Sequence, residues 1–238
     1  MDCALSHPYG SGQLGGDSAE PLRPGGLQLT REMIARAGFA AGQQIIDLGC
    51  GCGASTELLA EHGCRAVGID LESATLTEAL RRHPVSHWVA ASATALPFAN
   101  ASQDGMLAEC SLSLVPDRAR ALNECRRVLR AGAVLALSDV YARQAGADFP
   151  SDEAVPACVA RISDQDSWLG ALQDAGFRLE VWEDRSEVLK VFIARLIFEQ
   201  GAAESLWAPQ LNHSQARAYT QRLAARRPGY FLLLARAI

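Results

Sequence analysis

The sequence predicts an α/β fold with a seven-stranded, mostly parallel sheet, an antiparallel last strand and helical insertions. Three observations support this prediction, and the first is that short apolar segments alternate with amphipathic helical patterns between residues 44 and 138. The second is a glycine-rich turn that joins the first of these segments to a helix. The third is the apolar run at residues 230–234, which is typical of a buried strand. Strands that alternate with helices are joined by right-handed crossovers, so helices should cover both faces of the sheet.

The individual elements follow from the same patterns. Residues 1–26 are rich in Gly, Pro and Ser and lack periodicity, which predicts an irregular N-terminal arm before a domain at 27–238. The first helix of that domain ends at Gly38. Beyond it we expect strands at 44–48, 65–69, 87–91, 105–109, 133–138, 178–182 and 230–234, and helices at 55–62, 74–82, 117–129 and 165–175. Ser55 and Thr56 are expected to cap the helix at 55–62.

The stretch between the last two strands is too long for a hairpin, so we predict a helical insertion at about residues 184–229. Its apolar side chains share one helical face: Leu189, Phe192, Ile193, Leu196 and Ile197. We expect that face to pack on the core, and the alternative is a substrate lid or a dimer surface. The oligomeric state, a homodimer included, stays open.

Composition restricts the class of protein. The chain has 238 residues, of which 49% are hydrophobic, so it can bury a sizeable core. Its formal net charge of −5 argues against a nucleic-acid partner, which needs a basic face. No apolar run reaches the ~18 residues of a membrane span and the N-terminus lacks a signal peptide, so we expect no membrane partner and a cytoplasmic location. Seven cysteines without a CxxC pair indicate reduced thiols, with no disulfide framework or metal site.

The strongest chemical signal is the glycine loop, residues 49–53, which follows the first predicted strand. Its glycines let a ligand lie against bare backbone, and the helix after it presents N–H groups to that ligand. Taken alone the loop is ambiguous, because Gly49, Gly51 and Ala54 also fit the dinucleotide fingerprint of nicotinamide enzymes. A tight turn without any ligand is the third interpretation.

Two acids narrow the choice. Asp47, near the end of the first strand, offers a carboxylate to an ammonium group, which suits the aminobutyrate end of S-adenosylmethionine. Asp70 follows the second strand, where its oxygens can accept both ribose hydroxyls, and Leu71 beside it can pack against adenine. Since either cofactor would use Asp70, only Asp47 discriminates between them.

Four ordered segments carry a resemblance to a known family: IIDLGCGCG, VGID, ATALPFANASQDGMLAE and CRRVLRAGAVLALSD. From about residue 27 to 238 the chain resembles class I S-adenosylmethionine-dependent methyltransferases with a type 11 methyltransferase domain. The resemblance implies the Rossmann-like fold of that class, S-adenosyl-L-methionine as cofactor and methyl transfer to a small-molecule acceptor. It also implies cofactor contacts from Asp47, Gly49, Gly51, Gly53, Asp70, Leu71, Ser92, Ala93 and the backbone of Glu109. Ser92 stands where the family often has an acid, so we expect its hydroxyl or the Ala93 backbone to bind adenine.

A narrower resemblance, to arsenite methyltransferases, rests on the segments ECSLSLVPD and SDVY and on Cys158 ahead of Gly176. It implies that Cys110 and Cys158, on the acceptor side of the catalytic site, hold a trivalent metalloid through soft thiolates. The match is incomplete, because a third family cysteine corresponds to Thr56 here. Metalloid methylation is therefore an alternative to another small-molecule acceptor.

Methyl transfer by in-line displacement needs alignment of acceptor, carbon and sulfur, and it requires no acid or base from the protein. If a base is used, Asp139, Tyr141 and Glu109 lie near the ends of suitable strands. Two alternatives of another class stay open at this point: a nicotinamide oxidoreductase, and a cofactor-binding protein that transfers no methyl group.

Overall fold

The computed structural model describes residues 21, 23–144, 162–200 and 213–238. Its strands are β1 (Gln44–Leu48), β2 (Arg65–Asp70), β3 (His87–Ala90), β4 (Gln103–Glu109), β5 (Leu129–Ala142), β6 (Phe177–Asp184) and β7 (Pro228–Ala237). Its helices are α1 (Gly26–Ala37), α2 (Ala54–Glu61), α3 (Ser73–Arg82), α4 (Arg118–Val128), α5 (Gln165–Asp174), α6 (Ser186–Gln200) and α7 (His213–Ala225). A short 3₁₀ turn, Leu112–Leu114, follows β4.

The strands form one seven-stranded sheet in the order β3-β2-β1-β4-β5-β7-β6. β1 pairs in parallel with β2 on one side and with β4 on the other, whereas β7 runs antiparallel to both β5 and β6. The predicted fold class, including the antiparallel last strand, is confirmed. Because the strand order reverses between β1 and β4, the carboxyl ends of these two strands form a topological switch point, the usual place for a ligand in such sheets.

Neighbouring residues of each strand point to opposite faces of the sheet, and both faces carry apolar side chains that must be buried. Helices therefore cover both faces. On β1, Ile46 belongs to a core cluster that α4 and α5 complete with side chains such as Leu122 and Trp168. Ile45 belongs to the cluster on the opposite face, which α1, α2 and α6 complete. This packing on both faces holds the carboxyl ends of the strands in place at one edge.

Between β6 and β7, the described part of the helical insertion contains α6 and α7. As predicted, the apolar face of α6 packs on the core: Leu189 and Leu196 are buried, and Phe192 and Ile193 pack against the cluster that contains Ile45. Core packing therefore accounts for the apolar pattern of these four side chains, and the lid or dimer surface stays an alternative prediction. None of the helices in the described ranges is long and apolar enough to cross a membrane.

The start of α2 departs from the prediction. Gly53, in the left-handed region with φ 90°, is the N-cap of this helix, and no side chain caps it. Ser55 and Thr56 lie buried in the first turn. The expectation that their hydroxyls cap the helix is wrong, because both hydroxyls donate to carboxylates at the sheet edge.

Most of the predicted N-terminal arm, residues 1–20 and 22, lies outside the described part of the chain. Residues 23–25 form a turn that leads into α1, in which the Gly26 N–H donates to the Arg23 carbonyl at 3.3 Å. The turn brings the Arg23 side chain to the carboxyl end of β4, where it contacts Glu109.

Candidate active site

The carboxyl ends of three strands meet at the glycine loop. Leu48, the last residue of β1, lies level with Ile69 of β2 and Ala108 of β4. Residues adjacent to these positions in the chain are therefore close neighbours at one edge of the sheet. The structure brings Asp47, Asp70 and Glu109 together in this way, as their places at strand ends predicted.

Two glycines of the loop serve different purposes. Gly49 has φ 75°, and a Cβ atom there would lie 2.4 Å from the Ser111 Cβ, so its small size is required by packing. Gly51 has φ 54°, and a Cβ there would meet no described atom within 4 Å. The Gly51 backbone therefore faces open space, where a ligand could lie against it.

Gly53 packs against an aromatic ring. A Cβ atom at Gly53 would lie 2.3 Å from Cη2 of Trp88, a residue of β3. Trp88 also fills the space next to Gly68 on β2. The structure thus gives Gly53 a packing role, and its contact with a cofactor stays a prediction.

Asp47 is a buried carboxylate with little internal compensation. Its side chain accepts one hydrogen bond among the described residues, from the Thr56 hydroxyl at 2.6 Å. Burial raises the pKa of Asp47 to about 7, against the lowering effect of the Thr56 hydrogen bond, and the nearby Glu109 raises it further. A cation placed beside Asp47 would stabilise its ionised form, because charge attraction is strong where water is excluded.

Asp70 is oriented by backbone donors. Its Oδ2 accepts from the Gly51 N–H at 3.0 Å and its Oδ1 from the Glu72 N–H at 3.0 Å. Each carboxylate oxygen retains a lone pair for a further donor. Leu71, which follows Asp70 in the chain, is 70% exposed, so it is available to pack against a flat apolar group.

Ser92 and Ala93 follow β3, beside Asp70. The Ala91 N–H donates to the Asp70 carbonyl at 3.0 Å, which keeps the segment next to β2. The Ser92 hydroxyl accepts from the Thr94 N–H at 3.2 Å and lies 2.8 Å from the Thr94 hydroxyl. The structure therefore positions both residues at the expected edge, with the Ser92 hydroxyl engaged locally.

Glu109 lies in a buried polar group that we call the Arg23 cluster: Arg23, Thr30, Ser55 and Glu109. The Glu109 Oε2 accepts from the Ser55 hydroxyl at 2.8 Å and lies 3.0 Å from Arg23 Nη2. The Thr30 hydroxyl lies 3.1 Å from Glu109 Oε1. These contacts engage the Glu109 side chain inside the protein, and contact of the Glu109 backbone with a cofactor stays a prediction.

Sequence reasoning missed the other members of the Arg23 cluster. A buried acid at a strand end requires a partner, and Arg23, just before a Pro-Gly-Gly turn, was the signal available in the sequence. The hydroxyls of Thr30 and Ser55 carried no such signal, since both lie in ordinary helical patterns.

Cys110 is tied into the core by a hydrogen-bond chain. Its Sγ lies 3.0 Å from the Tyr230 hydroxyl, which in turn lies 3.0 Å from the Ser138 hydroxyl. Burial, helped by the charge of Asp139, raises the pKa of the Cys110 thiol well above its ordinary value. A protonated thiol is a poor ligand for a soft metalloid.

The other features of the metalloid alternative add no support to it. Cys158 lies outside the described residues. Thr56, at the place of the third family cysteine, donates to Asp47 instead. No three His, Cys, Asp or Glu side chains in the described ranges are grouped so that they could hold a metal ion.

Two of the residues considered as a possible base, Asp139 and Tyr141, are held by structural contacts. Asp139 is fully buried and accepts from the Ser113 N–H at 2.9 Å and from the Val140 N–H at 2.8 Å. Tyr141 packs edge-on against Trp182, with ring centroids 5.4 Å apart. These contacts favour a structural role for both residues.

The same loop and strand ends occur in a known family. A family described as a methyltransferase domain matches residues 46–137, from β1 through the glycine loop to β5. A relative, the O-methyltransferase resE of Aspergillus sclerotiorum, is 35% identical over 188 residues, which cover 73% of this chain and 70% of the relative. This chain belongs to the class I S-adenosylmethionine-dependent methyltransferases. Its cofactor is S-adenosyl-L-methionine, as predicted, and neither a nicotinamide oxidoreductase nor a metalloid methyltransferase is favoured.

Further similarities of the methyltransferase agree with this assignment. The O-methyltransferase cnsE of Penicillium expansum is 34% identical over 166 residues, which cover 65% of this chain and 59% of the relative. Among solved structures, the [4+2]-cyclase SpnF has a TM-score of 0.70 at 24% identity, covering 88% of this chain and 79% of that one. The geranyl diphosphate C-methyltransferase of Streptomyces coelicolor A3(2) has a TM-score of 0.68 at 16% identity, covering 89% and 79%. These two likenesses show the Rossmann-like fold.

Proposed function

We propose that the methyltransferase binds S-adenosylmethionine across the carboxyl ends of β1, β2 and β3 and methylates a hydroxyl oxygen of a small-molecule acceptor. One observation carries the cofactor site: a buried carboxylate, Asp47, lacks a directly bonded cation among the described residues, beside a loop whose Gly51 backbone is open. A ligand with an ammonium group and an extended polar body fits that arrangement.

The residues fit the cofactor in order along the sheet edge. Asp47 would hold the ammonium group, and Asp70, fixed by two backbone donors, would accept from the ribose hydroxyls. The adenine would pack on Leu71, with the Ser92 hydroxyl or the Ala93 backbone at its edge. The glycines of the loop, Gly49, Gly51 and Gly53, and the Glu109 backbone would complete the contacts.

The chain's contribution to the reaction is alignment. The sulfonium supplies an already activated methyl group. With the cofactor bound, the acceptor oxygen would form its bond to that carbon as the carbon–sulfur bond breaks, S-adenosylhomocysteine would be the leaving group, and the hydroxyl proton would pass to solvent. Holding the reactants in line can lower the barrier by several kcal/mol without any acid or base. This agrees with the structural contacts that engage Asp139 and Glu109.

An oxygen acceptor is supported by the relatives. Those that cover most of this chain include proteins named O-methyltransferases. The formal net charge of −5 argues for a small-molecule acceptor rather than nucleic acid.

We further propose residues 27–238 as the methyltransferase domain that follows the arm at 1–26, and a cytoplasmic location, on the sequence grounds given above. A homodimer is an open prediction.

Two measurements test the proposal. Calorimetric titration should show binding of S-adenosylhomocysteine and none of NADH. Transfer of a radiolabelled methyl group should then occur to members of a panel of phenols and aliphatic alcohols, and not to arsenite, thiols or amines. Binding of NADH without S-adenosylhomocysteine would overturn the cofactor site, and methylation of amines or arsenite alone would overturn the acceptor.

A further inference from the structure

The Arg23 cluster holds more hydrogen-bond donors than its members use. All hydrogen bonds that the Arg23 side chain makes among the described residues start from Nη2. A guanidinium has five N–H donors, so those of Nε and Nη1 are left. Nε is buried without a partner in the described part of the chain. A buried donor without an acceptor costs about 1–3 kcal/mol, so this arrangement points to an acceptor outside the described residues, and a bound ligand would supply one.

The charges around the cluster indicate the chemistry of that acceptor. Arg23 Nη2 donates to the Ser55 hydroxyl at 2.8 Å, and the next residue, Thr56, donates to Asp47 at 2.6 Å. The guanidinium and the Asp47 carboxylate therefore contact adjacent residues of α2, within electrostatic reach of each other. Asp47 is the acid that we assign to the ammonium group of the cofactor. In S-adenosylmethionine the carbon that bears this ammonium group also bears a carboxylate, which would lie near Arg23 when Asp47 holds the ammonium group.

The glycine loop offers few N–H groups to that carboxylate. The Gly49 and Cys50 N–H groups both donate to the Ile69 carbonyl, at 2.7 and 3.0 Å. The Gly51 N–H donates to Asp70. Because these loop donors are satisfied inside the protein, a fixed cation is the stronger partner for a carboxylate at this place.

We propose that Arg23 binds the carboxylate of the methionyl part of the cofactor, with Glu109, Thr30 and Ser55 as positioning residues that hold the guanidinium. The inference rests on the proposed cofactor site and adds to it a residue that precedes α1. Cofactor affinity would then depend on the turn at residues 23–25, because the Arg23 guanidinium reaches the site only when that turn packs against α1 and α2.

The test compares two ligands that differ only in the carboxylate: S-adenosylmethionine and decarboxylated S-adenosylmethionine. Calorimetry measures the dissociation constant of each for the unaltered protein, Arg23→Gln, Arg23→Lys and the control Arg31→Gln, an exposed residue of α1. The unaltered protein and the control should prefer the carboxylate-bearing ligand about 10- to 100-fold. In Arg23→Gln the preference should fall to within about threefold, with affinity for the decarboxylated ligand nearly unchanged. Arg23→Lys keeps the charge and loses the two parallel hydrogen bonds that a guanidinium can donate to a carboxylate. Its preference for the carboxylate-bearing ligand should therefore lie between those of the unaltered protein and Arg23→Gln.

Three results would overturn the inference: equal affinity of the unaltered protein for both ligands, an unchanged preference in Arg23→Gln, or an equal loss of affinity for both ligands in that variant. The last result would show that Arg23 acts only on the fold. The first result can be measured on the unaltered protein even if the variants do not fold. Failure of the unaltered protein to bind either ligand would instead contradict the proposed cofactor site, so the two failures are distinguishable.

Discussion

Asp47 and Glu109 are buried acids at the carboxyl ends of the neighbouring strands β1 and β4, yet their charges are compensated to different extents. Glu109 has an ion pair with Arg23 and two hydroxyl donors, whereas Asp47 has one hydroxyl donor. Burial raises the pKa of Asp47 to about 7. Burial alone therefore does not mark a ligand site. The informative feature is a buried charge whose compensation is incomplete until a ligand binds.

The largest effect on stability is expected at Glu109. Glu109→Gln leaves Arg23 charged and nearly buried without its counter-ion, which should lower the free energy of unfolding by about 3–5 kcal/mol. Urea unfolding followed by circular dichroism measures the loss.

The matched control is Glu180→Gln, which removes a more exposed ion pair with Arg236. Such pairs contribute about 1 kcal/mol or less. Equal losses in the two variants would show that the buried pair with Arg23 is no more important than a surface pair, and the contrast with Asp47 would disappear.

Asp47→Asn should give a gain in stability that grows with pH. The pKa of about 7 in the folded protein lies above the ordinary 3.8, so the folded state holds the proton more tightly than the unfolded state. The stability due to protonated Asp47 is complete below about pH 4 and is lost as the pH rises through 7. The advantage of Asn over Asp should therefore increase by up to roughly 4 kcal/mol between pH 4 and pH 8.

Asp104→Asn provides a control of opposite sign. The Gln44 N–H lowers the pKa of Asp104, so ionised Asp104 stabilises the fold above its unfolded pKa and this stability is lost as the pH falls. Unfolding free energies measured across the pH range should diverge in opposite directions for the two variants. Parallel curves would refute the assignment of the raised pKa to Asp47.

Asp70→Ala should weaken S-adenosylmethionine binding by about 1–3 kcal/mol, because charge-assisted hydrogen bonds to the ribose are lost. Calorimetry measures the dissociation constant. Glu72→Ala, which removes an exposed acid two positions away, should leave the affinity within about twofold. A dissociation constant that Asp70→Ala does not change would remove Asp70 from the site.

Cys110→Ser should have the smallest effect. The serine hydroxyl can replace the thiol beside Tyr230, so methyl transfer to a hydroxyl acceptor should stay within about threefold and stability within about 1 kcal/mol. Activity and thermal unfolding of the variant check both. A complete loss of methyl transfer with normal folding would support a role of Cys110 in binding the methyl acceptor.

Local patterns predicted the frame of the site well. The strand at 44–48 is present with the same limits, and Asp47 and Asp70 lie at the sheet edge because the ends of parallel strands meet there. Such features depend on periodicity and on the order of elements, both of which are visible in the sequence.

Contacts between distant side chains were not predictable in the same way. Thr30 and Glu109 are 79 positions apart, and no local pattern states that a hydroxyl inside a helix will face a carboxylate on a strand. Ser55 and Thr56 show the same limit, since a hydroxyl near a helix start resembles a cap until the strands beside it are in place. Trp88, which fills the space next to Gly53, is a third case.

The ion pair between Arg23 and Glu109 also determines where the protein can be shortened. A truncated chain that starts at α1 would retain every strand and helix of the described ranges and would still leave the Glu109 carboxylate in the interior without its counter-ion. The cooperative unit thus includes a residue upstream of the first described helix, and that residue belongs to no helix or strand.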